Sequence, residues 1–199
     1  MTSSRRKRRE RALYELFGNI HHQGTVYSAT GPAVPFLAEL VRSEQTDHRV
    51  RVELTWLLQA IAGGTGSREL VGAARDAVGT ELPSLAPLIG ADSPELSLSV
   101  AALAARYPET AERVLPLVRD AHDDASSPAA SRLLALVRIL LGDRSGGLFE
   151  EVRTAPEEDA DPDLLAEALP ALERGETLEE AYSLLEDLTG AALRGWDEP

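Results

Sequence analysis

A chain of 199 residues with 43% hydrophobic content has enough material to bury a core, so disorder throughout is excluded. Cysteine is absent, which removes disulfides, a thiolate nucleophile and sulfur ligands for zinc or an iron–sulfur cluster. The formal net charge of −13 disfavours a polyanionic partner, and the apolar content comes mostly from Leu, Ala and Val without sustained strand-like alternation, so the fold reads as all-α.

Charge is unevenly placed. Residues 1–11 carry Arg5, Arg6, Lys7, Arg8, Arg9 and Arg11 against Glu10. Like charges repel one another and sit badly at the positive end of a helix dipole, so residues 1–8 read as a disordered basic arm. No apolar stretch of the kind a secretory signal needs follows the arginines, and apolar runs elsewhere fall short of the ~20 residues of a membrane span. The expectation is a soluble cytoplasmic protein without membrane contact. Residues 12–199 hold 14 arginines and 32 acidic side chains, a body that repels phosphate backbones and disfavours nucleic acid.

Apolar spacings of three and four, with Ser, Asp or Thr before them and Gly after, predict helices over 9–20, 33–43, 48–62, 68–78, 81–89, 94–106, 109–121, 128–141, 146–154, 162–174 and 178–189. Ser93-Pro94, Ser127-Pro128 and Asp161-Pro162 each place a capping acceptor before a proline at the first helical position. Thr177 to Glu180 reads as a capping box, and Gly63, Gly90, Gly142, Gly175 and Gly190 read as stops. One domain over 9–190 and a flexible tail over 191–199 follow, with no sheet anywhere.

The segments PELSLSVAALAARY from Pro94 and PAASRLLALVRILL from Pro128 start 34 positions apart, with similar caps and similar phase. A proline inside an apolar stripe recurs at Pro35, Pro87, Pro116 and Pro170. Each removes a backbone hydrogen bond and marks a helix that bends or starts there. With these features, GNIHHQGTVYSATGPAVPFLAEL from Gly18 to Leu40 resembles the opening repeat of bacterial HEAT-repeat proteins, of the armadillo-like α-solenoid class. The later proline-bearing helices are similar to the second helix of HEAT pairs. The resemblance implies an α-α superhelix of short antiparallel pairs and a scaffold that binds macromolecules along one face. It implies no active-site residue.

Four stretches invite a chemical reading. HHQGTVY, residues 21–27, has adjacent histidines that diverge on regular structure and lack companion ligands, so a structural joint or a partner-binding loop is expected rather than a metal site. GGTGS at 63–67 precedes a helix, yet the only lysine is Lys7, so a helix joint is expected rather than a phosphate loop. EEDADPD at 157–163 opens like a calcium loop, but Leu164 and Pro170 stand where glycine and glutamate belong; an acidic helix start is expected. Trp56 lies on an apolar stripe and is expected in the core or on a contact face. Tyr14, Phe17, Tyr27, Phe36 and Trp56 concentrate aromatics near the N-terminus, as a packed cap or the edge of a binding face.

The functional expectation is a non-enzymatic scaffold with no catalytic residue, metal or cofactor, which recognises a protein partner with a basic surface. Candidate contact residues are His21, His22, Gln23, Tyr27 and Trp56. The alternatives are a DNA-base enzyme resembling the HEAT-like alkylpurine glycosylases and an immunity-type protein that neutralises a basic toxin.

Overall fold

The computed structural model describes residues 11–12, 15–16, 18–91 and 93–194. The expected basic arm over 1–8, Tyr14, Phe17 and the part of the expected tail beyond Arg194 lie outside the described residues. The protein is an all-α stack of helices, 71% helical. Among the described residues no helix is long and apolar enough to cross a membrane. The chain divides into two compact units, one ending at Leu82 and the other starting at Pro83.

In the first unit, helical residues up to Ile20 lead into a hairpin of two-residue strands, β1 (His21–His22) and β2 (Thr25–Val26). This hairpin corrects the expectation of a chain without a sheet. Helices α1 (Thr30–Arg42) and α2 (His48–Ala62) follow and pack on each other. Val34, Leu37, Ala38 and Val41 line the buried face of α1, in the three-and-four rhythm of an amphipathic helix. Val52, Leu54, Leu57, Leu58 and Ile61 do the same for α2. Arg42 is tied to Glu81 at 3.0 Å.

Helix α3 (Arg68–Leu85) replaces the two helices expected over 68–78 and 81–89. The presumed break at Gly79-Thr80 does not form, because Val78, Leu82 and Leu85 stay on one buried stripe across it. The Thr80 hydroxyl also donates to the Asp76 carbonyl, so this polar side chain is satisfied within the helix. A short 3-10 turn, Ala86–Leu88, contains Pro87, and the backbone leaves it through Gly90 at φ +81°.

The second unit is built around α4 (Pro94–Ala104) and α6 (Pro128–Leu140), the pair whose similarity the sequence displays. Nine successive residues of α4, Leu96 to Ala104, are buried, which only a stretch free of charge and rich in small side chains permits. Helix α6 packs against α4, α5 (Ala111–Asp123), α7 (Leu148–Arg153) and α9 (Glu179–Ala192), while α8 (Pro162–Glu173) packs on α7 and α9. The three predicted proline caps all form: Ser93, Ser127 and Asp161 accept from the backbone N–H groups of Leu96, Ala130 and Asp163. Gly142 and Gly175 take left-handed φ, as helix stops require. Two expectations fail here. Leu178, not Thr177, occupies the N-cap of α9 and makes no side-chain capping bond, and Gly190 lies inside α9 rather than ending it.

Candidate functional site

The structure brings together two stretches whose contacting residues, Gly24 and Thr65, are 41 positions apart in the sequence. In the hairpin, His21 pairs with Val26 and His22 with Thr25, so Gln23 and Gly24 form the two-residue loop, at φ +50° and +81°. Two positive φ values in succession match the twist of a tight hairpin; glycine adopts them freely, and Gln23 is the one non-glycine residue described with positive φ. The hairpin then docks on GGTGS. The Val26 N–H donates to the Thr65 carbonyl at 2.9 Å, and both the Thr65 N–H and its hydroxyl donate to the Gly24 carbonyl, at 2.6 and 3.0 Å.

That docking gives each motif a packing role. Val26 is 1% exposed, and a Cβ on Gly64 would stand 2.6 Å from its Cγ1. Gly64 is therefore small because Val26 lies against it. The Thr65 N–H, which a phosphate loop would turn toward a ligand, is used on Gly24. Thr30 closes the joint from the other side: its buried hydroxyl donates to the Ile20 carbonyl at 2.6 Å and accepts from the Tyr27 N–H at 2.8 Å.

Of the expected contact residues, His22, Gln23 and Tyr27 are exposed, whereas His21 and Trp56 are half-buried. His21 Nε2 is shielded from solvent without a hydrogen-bond partner among the described residues, and burial lowers the imidazole pKa below its ordinary value. Phe36 is 69% exposed and Leu40 44%, one turn apart on the outer face of α1. Among the described residues, no group of three or more histidine, cysteine, aspartate or glutamate side chains could hold a metal ion. In the acidic stretch at 157–163, Asp159 is held by Arg132 and Arg194, at 3.3 and 2.6 Å, and Asp161 caps α8.

The second unit contains a polar cluster that sequence spacing did not reveal, because its members come from α5, α6, α7 and the loop after α6. His122 Nε2 lies 3.1 Å from both the Ser131 hydroxyl and Glu151 Oε1, and Ser131 donates to Glu151 through a short contact. Serine, histidine and a carboxylate in mutual contact invite comparison with a hydrolytic triad. The proton placement is the reverse of one. Arg138 Nη1 lies 2.8 Å from His122 Nδ1, and a guanidinium can only donate, so Nδ1 accepts and the proton of the neutral ring sits on Nε2, facing serine. A general base must present a bare nitrogen to the hydroxyl. Here Ser131 gives its hydrogen bond directly to Glu151, and the arrangement ties α5, α6 and α7 together.

Behind it, Asp143 anchors the loop after α6. It is 6% exposed and accepts from Arg138 Nε and Nη2 at 3.1 and 2.9 Å, from Arg119 Nε at 3.0 Å, and from the Ser145 N–H and hydroxyl at 2.9 and 2.7 Å. Burial alone would push its pKa up. The Ser145 bonds, then Arg138 and Arg119, outweigh that and hold the carboxyl well below the usual carboxylate range.

One concave feature accompanies these clusters. A cleft of about 440 Å³ opens in the second unit beside α4, α5 and α6, with Leu98, Leu117, Ala121 and Leu134 in its walls and Asp120 and Asp124 at its edge. In comparisons with known proteins, no family model, no curated protein and no solved structure matches this chain.

Proposed function

We propose that this protein is a non-enzymatic scaffold of HEAT-like helix pairs that binds another protein with a basic surface. One observation carries the reading. Between residues 83 and 194 the sequence holds nine arginines and 22 acidic residues. Seven of those arginines, Arg106, Arg119, Arg132, Arg138, Arg153, Arg174 and Arg194, are already in salt bridges. Those bridges engage six carboxylates, so the arginines are largely neutralised within the chain, while Glu109, Glu112, Asp120, Glu157, Glu158 and Glu167 are exposed and outside these bridges. A surface left in that state attracts cations and repels phosphate backbones.

The joint and the polar cluster support the same reading, since each has a structural use that accounts for its residues. Stacked helices in turn offer an extended face suited to recognising a macromolecule. A cytoplasmic setting is part of the proposal, as the sequence reading expects. Opposed charges speed encounter and are screened by salt, so binding weakens between ~50 and ~300 mM salt as the Debye length falls from about 14 Å to below 6 Å. The test is affinity capture from the source cell's lysate at both salt concentrations, followed by mass spectrometry, with a generic duplex DNA titration alongside. Salt-sensitive capture of a basic protein, a neutralised toxin included, supports the scaffold. Tight DNA binding without a protein partner overturns it in favour of the glycosylase-like alternative.

A further inference from the structure

The cleft beside α4, α5 and α6 joins two features that rarely suit the same guest. Its described walls are mainly apolar, with Leu98 from α4, Leu117 and Ala121 from α5 and Leu134 from α6, and Ser97 and Ser126 add hydroxyls to the lining. Its only charged lining residues among those described are Asp120, in the last turn of α5, and Asp124, the residue that caps the C-terminal end of that helix. Neither carboxylate takes part in a salt bridge or side-chain hydrogen bond among the described residues. The nearby bases are committed elsewhere: Arg119 turns to Asp143, while His122 bonds Ser131, Glu151 and Arg138.

The placement is locally unfavourable. Like charges four residues apart on a helix repel by about 0.2–0.5 kcal/mol. Asp120, Asp123 and Asp124 also crowd the C-terminal end of α5, where the helix dipole is negative and cations are preferred. A cation between the two carboxylates would relieve both penalties, and the apolar walls specify what it must be attached to. A bare metal ion or a small ammonium would leave Leu98, Leu117 and Leu134 uncovered. Arginine suits both demands: its methylene stem covers apolar surface, while its weakly hydrated planar guanidinium can donate to two carboxylates at once. A volume of about 440 Å³ falls within the ~300–1,000 Å³ of ordinary ligand sites, leaving room for an apolar neighbour of that arginine.

Resting on the protein-binding reading above, we infer that this cleft is where the scaffold grips its partner. Its guest is an exposed segment bearing an arginine flanked by an apolar residue, with the guanidinium held between Asp120 and Asp124.

The probe is a peptide of alternating leucine and arginine, (Leu-Arg)3-amide, carrying fluorescein on its N-terminal amine in place of an acetyl group, titrated by fluorescence anisotropy at 50 mM salt. The full chain is compared with Asp120→Asn/Asp124→Asn, with the charge-matched control Glu157→Gln/Glu167→Gln at exposed positions outside the cleft, and with Ala121→Arg, which fills the cleft with a competing cation. Circular dichroism confirms that each variant is folded. Saturable binding by the wild type, weakened at least tenfold by the aspartate pair and by Ala121→Arg but less than twofold by the control, supports the inference. Replacing the peptide's arginines with lysines should weaken binding to the wild type severalfold. No saturation below 1 mM peptide, or equal losses in the aspartate pair and the control, overturns it. The scaffold reading is judged separately: if a basic protein is captured equally by the wild type and the aspartate pair, the cleft assignment falls and the scaffold stands.

Discussion

Replacing Asp143 should lower stability more than replacing any other acidic side chain of the second unit. The carboxylate accepts five hydrogen bonds while almost fully buried. In Asp143→Ala the Arg138 guanidinium, 13% exposed, loses its carboxylate without gaining water. Removing one partner of a buried pair costs about 3–5 kcal/mol. The Arg119 side chain is 50% exposed and rehydrates, so its share is discounted to under ~1 kcal/mol. A loss of about 3–4 kcal/mol is expected for alanine. Asp143→Asn keeps an oxygen for the Ser145 donors but loses the charge, and should cost about 2 kcal/mol. Urea unfolding followed by circular dichroism, with the slope compared between variants, reads the difference. The sign with pH is determined. Because the folded pKa lies below the unfolded ~3.9, the contribution is fully present above that value and is lost as the pH falls below it. The gap between wild type and Asp143→Ala should therefore hold steady from pH 8 to about 5 and narrow below about 4. An alanine loss under about 1 kcal/mol, or a gap that widens in acid, refutes the reasoning.

Three further outcomes follow from the joint and the polar cluster. Gly64→Ala, whose Cβ would stand 2.6 Å from Val26 Cγ1, should destabilise by about 1–3 kcal/mol, with much of that recovered in combination with Val26→Ala; simple additivity in the unfolding free energies would contradict the docking. His21 has a lowered folded pKa, so its contribution is present above about pH 6.5 and fades as the pH falls toward the folded value; His21→Leu should remove that slope from the unfolding curves, and an unchanged slope would count against the burial of its ring. A fluorophosphonate probe should leave Ser131 unmodified, since the His122 nitrogen facing it carries the proton; stoichiometric labelling lost in His122→Ala would reverse that assignment.

Local chemistry was legible in the sequence wherever it acts within one turn. Ser93, Ser127 and Asp161 before prolines mark helix starts because cap and proline are adjacent, and Gly90, Gly142 and Gly175 mark stops because left-handed φ is a property of one residue. Gly79 and Gly190 misled because a glycine is equally compatible with a helix whose apolar stripe continues past it. The hairpin over 21–26 escaped because its strands are two residues long, too short for alternation to show, and because Thr65, its third strand-like partner, is distant in sequence. HHQGTVY and GGTGS were each legible as a connection between helices, but their mutual contact was not, because Gly24 and Thr65 meet only in the fold. Asp120 and Asp124 went unnoticed for the same reason: two acids at the end of a helix gain meaning only when α4 and α6 supply apolar side chains beside them.

The most direct test of the scaffold reading is quantitative affinity capture, with the wild type and Asp120→Asn/Asp124→Asn used side by side at ~50 and ~300 mM salt, where screening differs most. The account predicts that the wild type enriches a basic protein at the lower salt, that the higher salt releases it, and that the aspartate pair retains far less of it. Captured proteins that are neutral or acidic and indifferent to salt, or duplex DNA bound more tightly than any protein, would contradict it.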